Sequence, residues 1–303
     1  MNLETQSILE RLTRRAKNEH RLFQDVLALY GIERTLYRLS QSRFSSSFIL
    51  KGGTWMNGWF GGKLDRVTAD IDVVGRKIPN QRDSLIEVFR EILAIPCRED
   101  CLEYDFSSIS CFEMNPGKDY PVITMGLTAR LGTKEIPISI DIGFGDPIFP
   151  ESVDLAYPTL LGFPVPVVKA YSKESVIAEK FQAMVFLGEI KTRYKDFYDI
   201  YLLSQKFSFE GHVLSEALAE TFTARKTAFT PIVCFSPAFY NSGYHSRQWK
   251  SFVNRNHIDP GLSLELVILH IGKFLTPIVT SLVAKKAFHG KWVPPHSQWE
   301  ERA

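Results

Sequence analysis

Two aspartates separated by a single residue are the feature of this sequence best suited to chemistry. Asp70 and Asp72 lie in the segment 69–74, which alternates like a β-strand. Residues i and i+2 of a strand point to the same face, so both carboxylates are expected to project together. Carboxylates this close repel each other unless a cation neutralises them, and Mg²⁺ (or Mn²⁺) prefers such oxygen ligands. The pair therefore predicts a divalent-metal site that also takes substrate phosphate oxygens.

A third carboxylate is available on another predicted strand. In the segment 136–142, four isoleucines alternate with other residues, so Ser139 and Asp141 share the opposite face. A third acidic ligand on a neighbouring strand would complete a two-metal clamp. The alternative is that Asp141 is an ordinary solvent-facing residue of its strand.

A glycine pair marks the junction between a strand and a helix. Gly52, Gly53 and Thr54 follow the buried strand 48–50 and precede a brief helix predicted over 55–60. Glycines let a backbone approach a phosphate closely, and a helix N-terminus offers unpaired N–H groups. The alternative is a simple turn. The loop before Asp70 contains Arg66 and Thr68, which are further candidates for contact with a nucleotide. The alternative is that they are ordinary loop residues.

The second half of the chain holds a lysine and two acidic residues with helical spacing. Lys180 interrupts an apolar stripe of a predicted helix, so its side chain either extends to solvent or points into a cleft. Asp196 and Asp199 are three residues apart on the next helix and therefore share a face. They form a salt bridge that holds helices together, or they hold Lys180 towards a nucleotide triphosphate.

Composition describes an ordinary folded protein. The 303 residues are 45% hydrophobic and 23% charged, with a net charge of only +2, which argues against a disordered chain and a polycation that coats nucleic acid. Dinucleotide-binding, P-loop, serine-hydrolase and zinc-peptidase motifs are absent from the sequence. The start lacks the apolar core of a signal peptide, and the apolar stretch 264–284 contains charged residues. We therefore expect a cytoplasmic protein with no membrane association.

The order of the predicted elements indicates an α+β fold. Two helices over 5–41 and several strands form a mixed-sheet domain over 1–165, and helices dominate 166–303. The proline-rich stretch 158–166 is interpreted as the linker between them. The helical domain is expected to contribute Lys180 and Asp196 to the cleft.

Taken together, these motifs resemble one known family. The resemblance rests on Leu-Lys-Gly-Gly-Thr at 50–54, Arg-x-Thr-x-Asp-Ile-Asp at 66–72 and Ser-Ile-Asp-Ile at 139–142. It continues through Ala-Glu-Lys at 178–180 and Lys-Asp-x-x-Asp at 195–199. The chain is similar in these positions to the AbiEii/AbiGii family of nucleotidyltransferase toxins, which belongs to the DNA polymerase β-like superfamily.

The resemblance implies a function and a role for each matching residue. It implies transfer of a nucleoside monophosphate from an NTP to an acceptor, RNA such as the 3′ end of tRNA or a protein, by a toxin of a type IV toxin–antitoxin or phage-defence system. An antitoxin partner is then possible, without direct contact being required. Asp70, Asp72 and Asp141 would be metal ligands, and Lys180 would bind the triphosphate. The nucleotide-holding motif would correspond to Gly52, Gly53 and Thr54, and a later acidic motif to Asp196.

Two other functions also fit the sequence. A metal-dependent glycosyltransferase that uses sugar nucleotides would employ the same Asp-x-Asp pair, with no role for Lys180 or Asp196. A non-catalytic nucleotide-binding module would keep the pocket without turnover.

Overall fold

The computed structural model describes residues 3–64, 68–114, 122–188 and 192–300. The chain forms two compact units, the first Met1–Asp146 with Ser152–Ala170 and the second Pro147–Glu151 with Tyr171–Ala303. The stretch 158–166, which we expected to be a linker, lies inside the first unit. Its backbone is held there because the guanidinium of Arg15 donates to the Leu160 carbonyl oxygen at 2.5 Å, and Arg11 donates to Leu161.

The first unit is built on a seven-stranded mixed sheet, as the α+β prediction requires. The strands are β1 Phe48–Lys51, β2 Asp70–Gly75, β3 Leu102–Met114, β4 Val122–Leu131, β5 Lys134–Gly143, β6 Val153–Ala156 and β7 Val167–Ala170. Their order in the sheet is β3-β4-β5-β2-β1-β7-β6, with β2–β5 and β1–β7 parallel and the other pairs antiparallel. The helices are α1 Leu3–Asn18, α2 Phe23–Gln41, α3 Gly52–Trp59 and α4 Arg82–Leu93.

Alternation along β5 separates a core face from a polar face. Ile136, Ile138, Ile140 and Ile142 are all buried, whereas Asp141 between them is only half-buried. Helix α2 packs on the isoleucine side at Gly31, where an added Cβ would lie only 2.7 Å from Ile136 Cγ2. The helix therefore approaches closely, and the aspartates of the sheet point to the opposite face.

A buried charge network fixes α2 to the start of β3. Asp100, which has no exposed surface, accepts hydrogen bonds from Arg38 at 2.7 Å and from Arg34 at 3.2 Å. Burial opposes ionisation of Asp100, but the hydrogen bonds from Arg38 outweigh it and hold the pKa of Asp100 below its usual range. The network therefore stabilises the packing of α2 only while Asp100 and both arginines are present, since removing one leaves a buried charge without its partner.

The second unit is mainly helical, with a small sheet that the sequence did not predict. Its helices are α5 Lys173–Leu187, α6 Tyr194–Lys206, α7 Gly211–Ala224, α8 Pro237–Tyr240, α9 Gly243–Arg255 and α10 Leu264–Val283. Three strands follow the order β10-β9-β8, namely β8 Phe209–Glu210, β9 Lys291–Val293 and β10 Gln298–Glu300. These strands have three residues or fewer, too short for an alternating pattern to be recognised.

Helix α10 meets the length and composition of a membrane-crossing helix, the one such helix in the described part of the chain. One side of it is nevertheless buried within the second unit. Ile271, Phe274, Leu275 and Ile278 have no exposed surface. Leu266, Leu269 and Val283 of the same helix are exposed, so α10 packs against the unit along one side only.

Candidate active site

The sheet register places two of the predicted metal ligands side by side. Asp72 on β2 pairs with Asp141 on β5 in the parallel ladder, and Asp70 pairs with Ser139. Paired residues of neighbouring strands point to the same face, with their strands about 4.8 Å apart. Asp70 is exposed, whereas Asp72 and Asp141 are half-buried. The three aspartates therefore share one face of the first unit.

Asp141 is oriented by a neighbour that the sequence did not reveal. Thr124 on β4 lies opposite Asp141 in the antiparallel ladder. Its hydroxyl donates a hydrogen bond of 2.7 Å to Asp141 Oδ1. The bond fixes one carboxylate oxygen and leaves the other for a further ligand or proton.

The glycine motif lies directly against the Asp72 carboxylate. Helix α3 begins at Gly52, three residues earlier than predicted, so Gly52, Gly53 and Thr54 form its first turn. Gly52 has a φ of +67°, and a Cβ added to it would lie 1.9 Å from Asp72 Oδ2. Only glycine provides both that backbone conformation and that space. The N-terminus of α3 therefore starts beside one of the predicted metal ligands.

Two threonines near Asp70 have different environments. Thr54 is fully buried, and its hydroxyl donates a 2.6 Å hydrogen bond to the Asp70 carbonyl oxygen. Thr68 is 7% exposed, yet its hydroxyl oxygen is buried with no hydrogen-bond partner among the described residues. Thr54 thus fixes the start of β2 to α3, whereas the Thr68 hydroxyl has an unfilled hydrogen-bonding capacity. Arg66 lies outside the described residues.

An ion pair that sequence reasoning missed lies on the same sheet face. Lys51, the last residue of β1, pairs with Asp72 in the antiparallel ladder. Its Nζ donates to Asp146 Oδ2 at 2.7 Å. Lys51 directly precedes the glycine pair, but nothing in the sequence connects it with Asp146, which is 95 residues away.

The donor set on this face suits a hydrated divalent ion. Among the residues that the structure describes, no three or more acidic, histidine or cysteine side chains form a group that could hold a metal ion. Mg²⁺, however, usually keeps several waters and is bound through one or two carboxylates and substrate phosphates. Asp72 and Asp141, adjacent across two strands, could provide such a partial set of ligands.

In the second unit, Lys180 bridges helices α5 and α6. Its Nζ lies 2.6 Å from Asp199 Oδ2 and 3.2 Å from Asp196 Oδ1, and Lys180 is 8% exposed. Arg193 Nε lies 3.0 Å from Asp196 Oδ2. Both aspartates, which the spacing placed on one face, therefore contact Lys180. Asp199, whose role the sequence left open, makes the shorter contact.

Several other titratable groups of the described chain are tuned by burial. Burial raises the pKa of Cys97 to about 11 and that of Cys234 to about 12, so both thiols stay protonated at neutral pH. Burial, with the charge of Lys273, lowers the pKa of His270 to about 4. These two thiols are poor nucleophiles, and this imidazole is neutral at pH 7.

Comparison with known proteins gives a family and distant structural similarities. Residues 34–264 match the family described as "Nucleotidyl transferase AbiEii toxin, Type IV TA system". No curated protein matches the chain. Among solved structures, JHP933 from Helicobacter pylori is similar at 16% identity and a TM-score of 0.46, over 83% of this chain and 90% of that one. A candidate nucleotidyltransferase from H. pylori has the same identity and TM-score, over 84% and 95% of the two chains.

Proposed function

The chain belongs to the AbiEii family of nucleotidyltransferase toxins, and we propose that it transfers a nucleoside monophosphate from an NTP to RNA, with the tRNA 3′ end as the first acceptor to test. Family membership rests on a match that spans most of the chain. One observation supports the location of the chemistry: Asp72 and Asp141 are register partners beside the glycine start of α3. This arrangement combines oxygen ligands for a cation with backbone N–H groups for phosphate.

In the proposed reaction, an acceptor hydroxyl oxygen attacks the α-phosphorus of the NTP. The bond from the α-phosphorus to the bridging oxygen breaks, and pyrophosphate leaves. A divalent ion, when bound by Asp72 and Asp141 with Asp70 nearby, would neutralise phosphate charge and favour ionisation of the acceptor hydroxyl. The N-terminal turn of α3 would bind phosphate through backbone N–H groups.

Asp141 is the residue that we propose as the general base. Thr124 uses one lone pair of Asp141 Oδ1, which leaves the second lone pair of that oxygen for the cation and Oδ2 for the proton of the acceptor hydroxyl. Thr68 and Arg66 are proposed to contact the nucleotide. The Thr68 hydroxyl has no hydrogen-bond partner among the described residues, which supports this assignment, because a buried hydroxyl without a hydrogen bond costs about 1–3 kcal/mol unless a ligand satisfies it.

Labelled substrates provide the direct test. The full chain would be incubated with each α-³²P-labelled NTP, Mg²⁺ and total RNA, and the label followed on a denaturing gel. We expect Asp72→Asn and Asp141→Asn to reduce label transfer at least about 100-fold. Asp154→Asn is the matched control, because Asp154 has a 63% exposed side chain on β6. Equal transfer by all three variants would contradict the proposed site.

The same assay separates the alternative functions. NTP binding with no transfer to RNA or protein would favour a non-catalytic module. Transfer from a labelled UDP- or GDP-sugar, with none from any NTP, would favour a glycosyltransferase. Family membership favours the nucleotidyltransferase outcome over both.

Lys180 is proposed to bind the triphosphate through its ammonium, with Asp196 and Asp199 as its supports. Lys180→Met would leave two buried carboxylates without their lysine partner, so its effect on folding must be measured as well. A selective rise in the KM for NTP in Lys180→Arg, with an unchanged unfolding midpoint, would support triphosphate binding. A change in stability alone would indicate a helix-joining role.

Partners and location follow from the same proposal. Type IV toxin–antitoxin membership implies a cognate antitoxin, and we propose that it acts without a requirement for direct contact with this chain. We propose a cytoplasmic location, where NTPs and RNA are present. Growth arrest on expression, relieved by Asp72→Asn, would support the toxin role, and cell fractionation would test the location.

A further inference from the structure

The Lys51–Asp146 ion pair has no role in the reaction as proposed above. The two charged groups are 2.7 Å apart, and their side chains are only 16% and 6% exposed. Burying two charges is costly unless the two groups are close and well oriented towards each other. The position of this pair on the sheet indicates a possible role for it.

The sheet register puts Lys51 in one row with the proposed metal ligands. Lys51 on β1 pairs with Asp72 on β2, which pairs in turn with Asp141 on β5. The three residues therefore occupy neighbouring positions on three adjacent strands and share one face. The lysine side chain thus leaves the backbone on the strand next to that of Asp72.

The end of the lysine side chain lies over β5, close to Asp141. Gly143 is two residues beyond Asp141 and shares its face of the strand. A Cβ added to Gly143 would lie 3.5 Å from Asp146 Oδ2 and 3.8 Å from Lys51 Nζ. The side chain of Lys51 therefore reaches across β2, and the ion pair rests above the end of β5.

We propose that Lys51 and Asp146 form a charge-balanced pair beside the cation site of the Asp72–Asp141 face, in which each group offsets the effect of the other on divalent-cation affinity. The inference rests on the proposed metal site. As a pair the two residues add no net charge beside the cation. Either one alone would act on it strongly, because a carboxylate attracts a divalent ion and an ammonium repels it.

The two single substitutions should therefore change metal affinity in opposite directions. A unit charge about 8 Å from a divalent ion, less than two strand spacings, changes its affinity at least about fivefold at low ionic strength. Lys51→Met leaves the Asp146 charge and should tighten binding by that factor. Asp146→Asn leaves the Lys51 charge and should weaken binding by that factor. The double variant should return to within about twofold of the original protein.

The test is Mn²⁺ binding to the full chain without nucleotide, measured by electron paramagnetic resonance of the free ion. Thermal unfolding of each variant would be recorded in parallel. Lys169→Met and Asp154→Asn are matched controls, since that pair on β7 and β6 has a similar separation of 2.8 Å but is exposed. Asp146→Asn preserves the size of the side chain and decides the question if Lys51→Met does not fold.

Each outcome bears on a different claim. Shifts of opposite sign, absent in the controls, would support the inference. Suppose that Asp72→Asn abolishes Mn²⁺ binding. If Lys51→Met and Asp146→Asn then leave the affinity unchanged, or both shift it in the same direction, the inference is overturned and the metal site stands. Binding that is equal in the original protein and Asp72→Asn would overturn the metal site and the inference together.

Discussion

Replacing Gly52 by alanine tests whether the Asp72 carboxylate must lie against the start of α3. Gly52 has a φ of +67°, and the added Cβ would lie 1.9 Å from Asp72 Oδ2 and 2.5 Å from its Cγ. An L-residue in this left-handed conformation costs about 1–2 kcal/mol. Non-bonded carbon and oxygen atoms need more than about 3 Å, so the carboxylate must move by at least about 1 Å.

A displacement of that size should affect activity far more than folding. Misplacing a catalytic group by about 1 Å costs roughly 100-fold in rate, so label transfer by Gly52→Ala should fall about 100-fold. Gly61→Ala is the matched control, because Gly61 has a similar φ of +64° and no atom within 4 Å of an added Cβ. Gly61→Ala should therefore lose stability through its left-handed backbone conformation, without a collision between the new Cβ and another side chain.

The assay compares the two variants in label transfer and in urea-induced unfolding. Gly61→Ala should lose about 1–2 kcal/mol in the free energy of unfolding, and Gly52→Ala at least as much, because it adds the collision with Asp72. Only Gly52→Ala should also lose label transfer and Mn²⁺ binding. Transfer by Gly52→Ala within about threefold of Gly61→Ala would refute the argument that this glycine positions Asp72.

Buried and half-buried polar groups give three further predictions. Thr54→Val removes a buried hydrogen bond and should lower the free energy of unfolding by about 1–3 kcal/mol. Thr68→Val should leave the free energy of unfolding unchanged or raise it, because the Thr68 hydroxyl has no hydrogen-bond partner among the described residues. The same variant should bind NTP more weakly, which calorimetry would detect. Asp100→Asn should cost about 3–5 kcal/mol in urea unfolding, because two buried arginines lose their shared counter-charge. Burial holds the pKa of His270 at about 4, so the unfolded chain takes up a proton below about pH 6.5 that the folded chain resists. Stability should therefore fall by about 2 kcal/mol as the pH drops from 6.5 to 4, and His270→Gln should lose this dependence in unfolding midpoints measured across that range.

The local pattern of the sequence was sufficient to predict the strands that carry the aspartates. Alternating isoleucines predicted β5 and the outward direction of Asp141, and the structure confirms both. The helix predicted around Lys180 is observed as α5, Lys173–Leu187. The prediction of a mixed sheet followed by helices is also confirmed. These features depend on side-chain periodicity within one element, which a single sequence displays directly.

Other features of the site depend on contacts between distant segments. Lys51 and Asp146 are 95 residues apart, and Thr124 is 17 residues from Asp141. Which of Thr54 and Thr68 fixes the backbone is likewise decided by packing, because both are the same residue type near the same aspartates. Strands β6 and β7 were missed because each has only four residues on either side of a proline-rich stretch.

The register between β2 and β5 shows why the core and the site cannot be altered independently. Asp72 faces Asp141 in the same ladder that places Ile71 beside Ile140 and Val73 beside Ile142. A slip of one residue would turn every side chain of the strand to the other face. The isoleucine core beneath α2 therefore penalises a one-residue slip, which would also turn the carboxylates away from the polar face. The hydrophobic contacts on one face thus determine the placement of the carboxylates on the other.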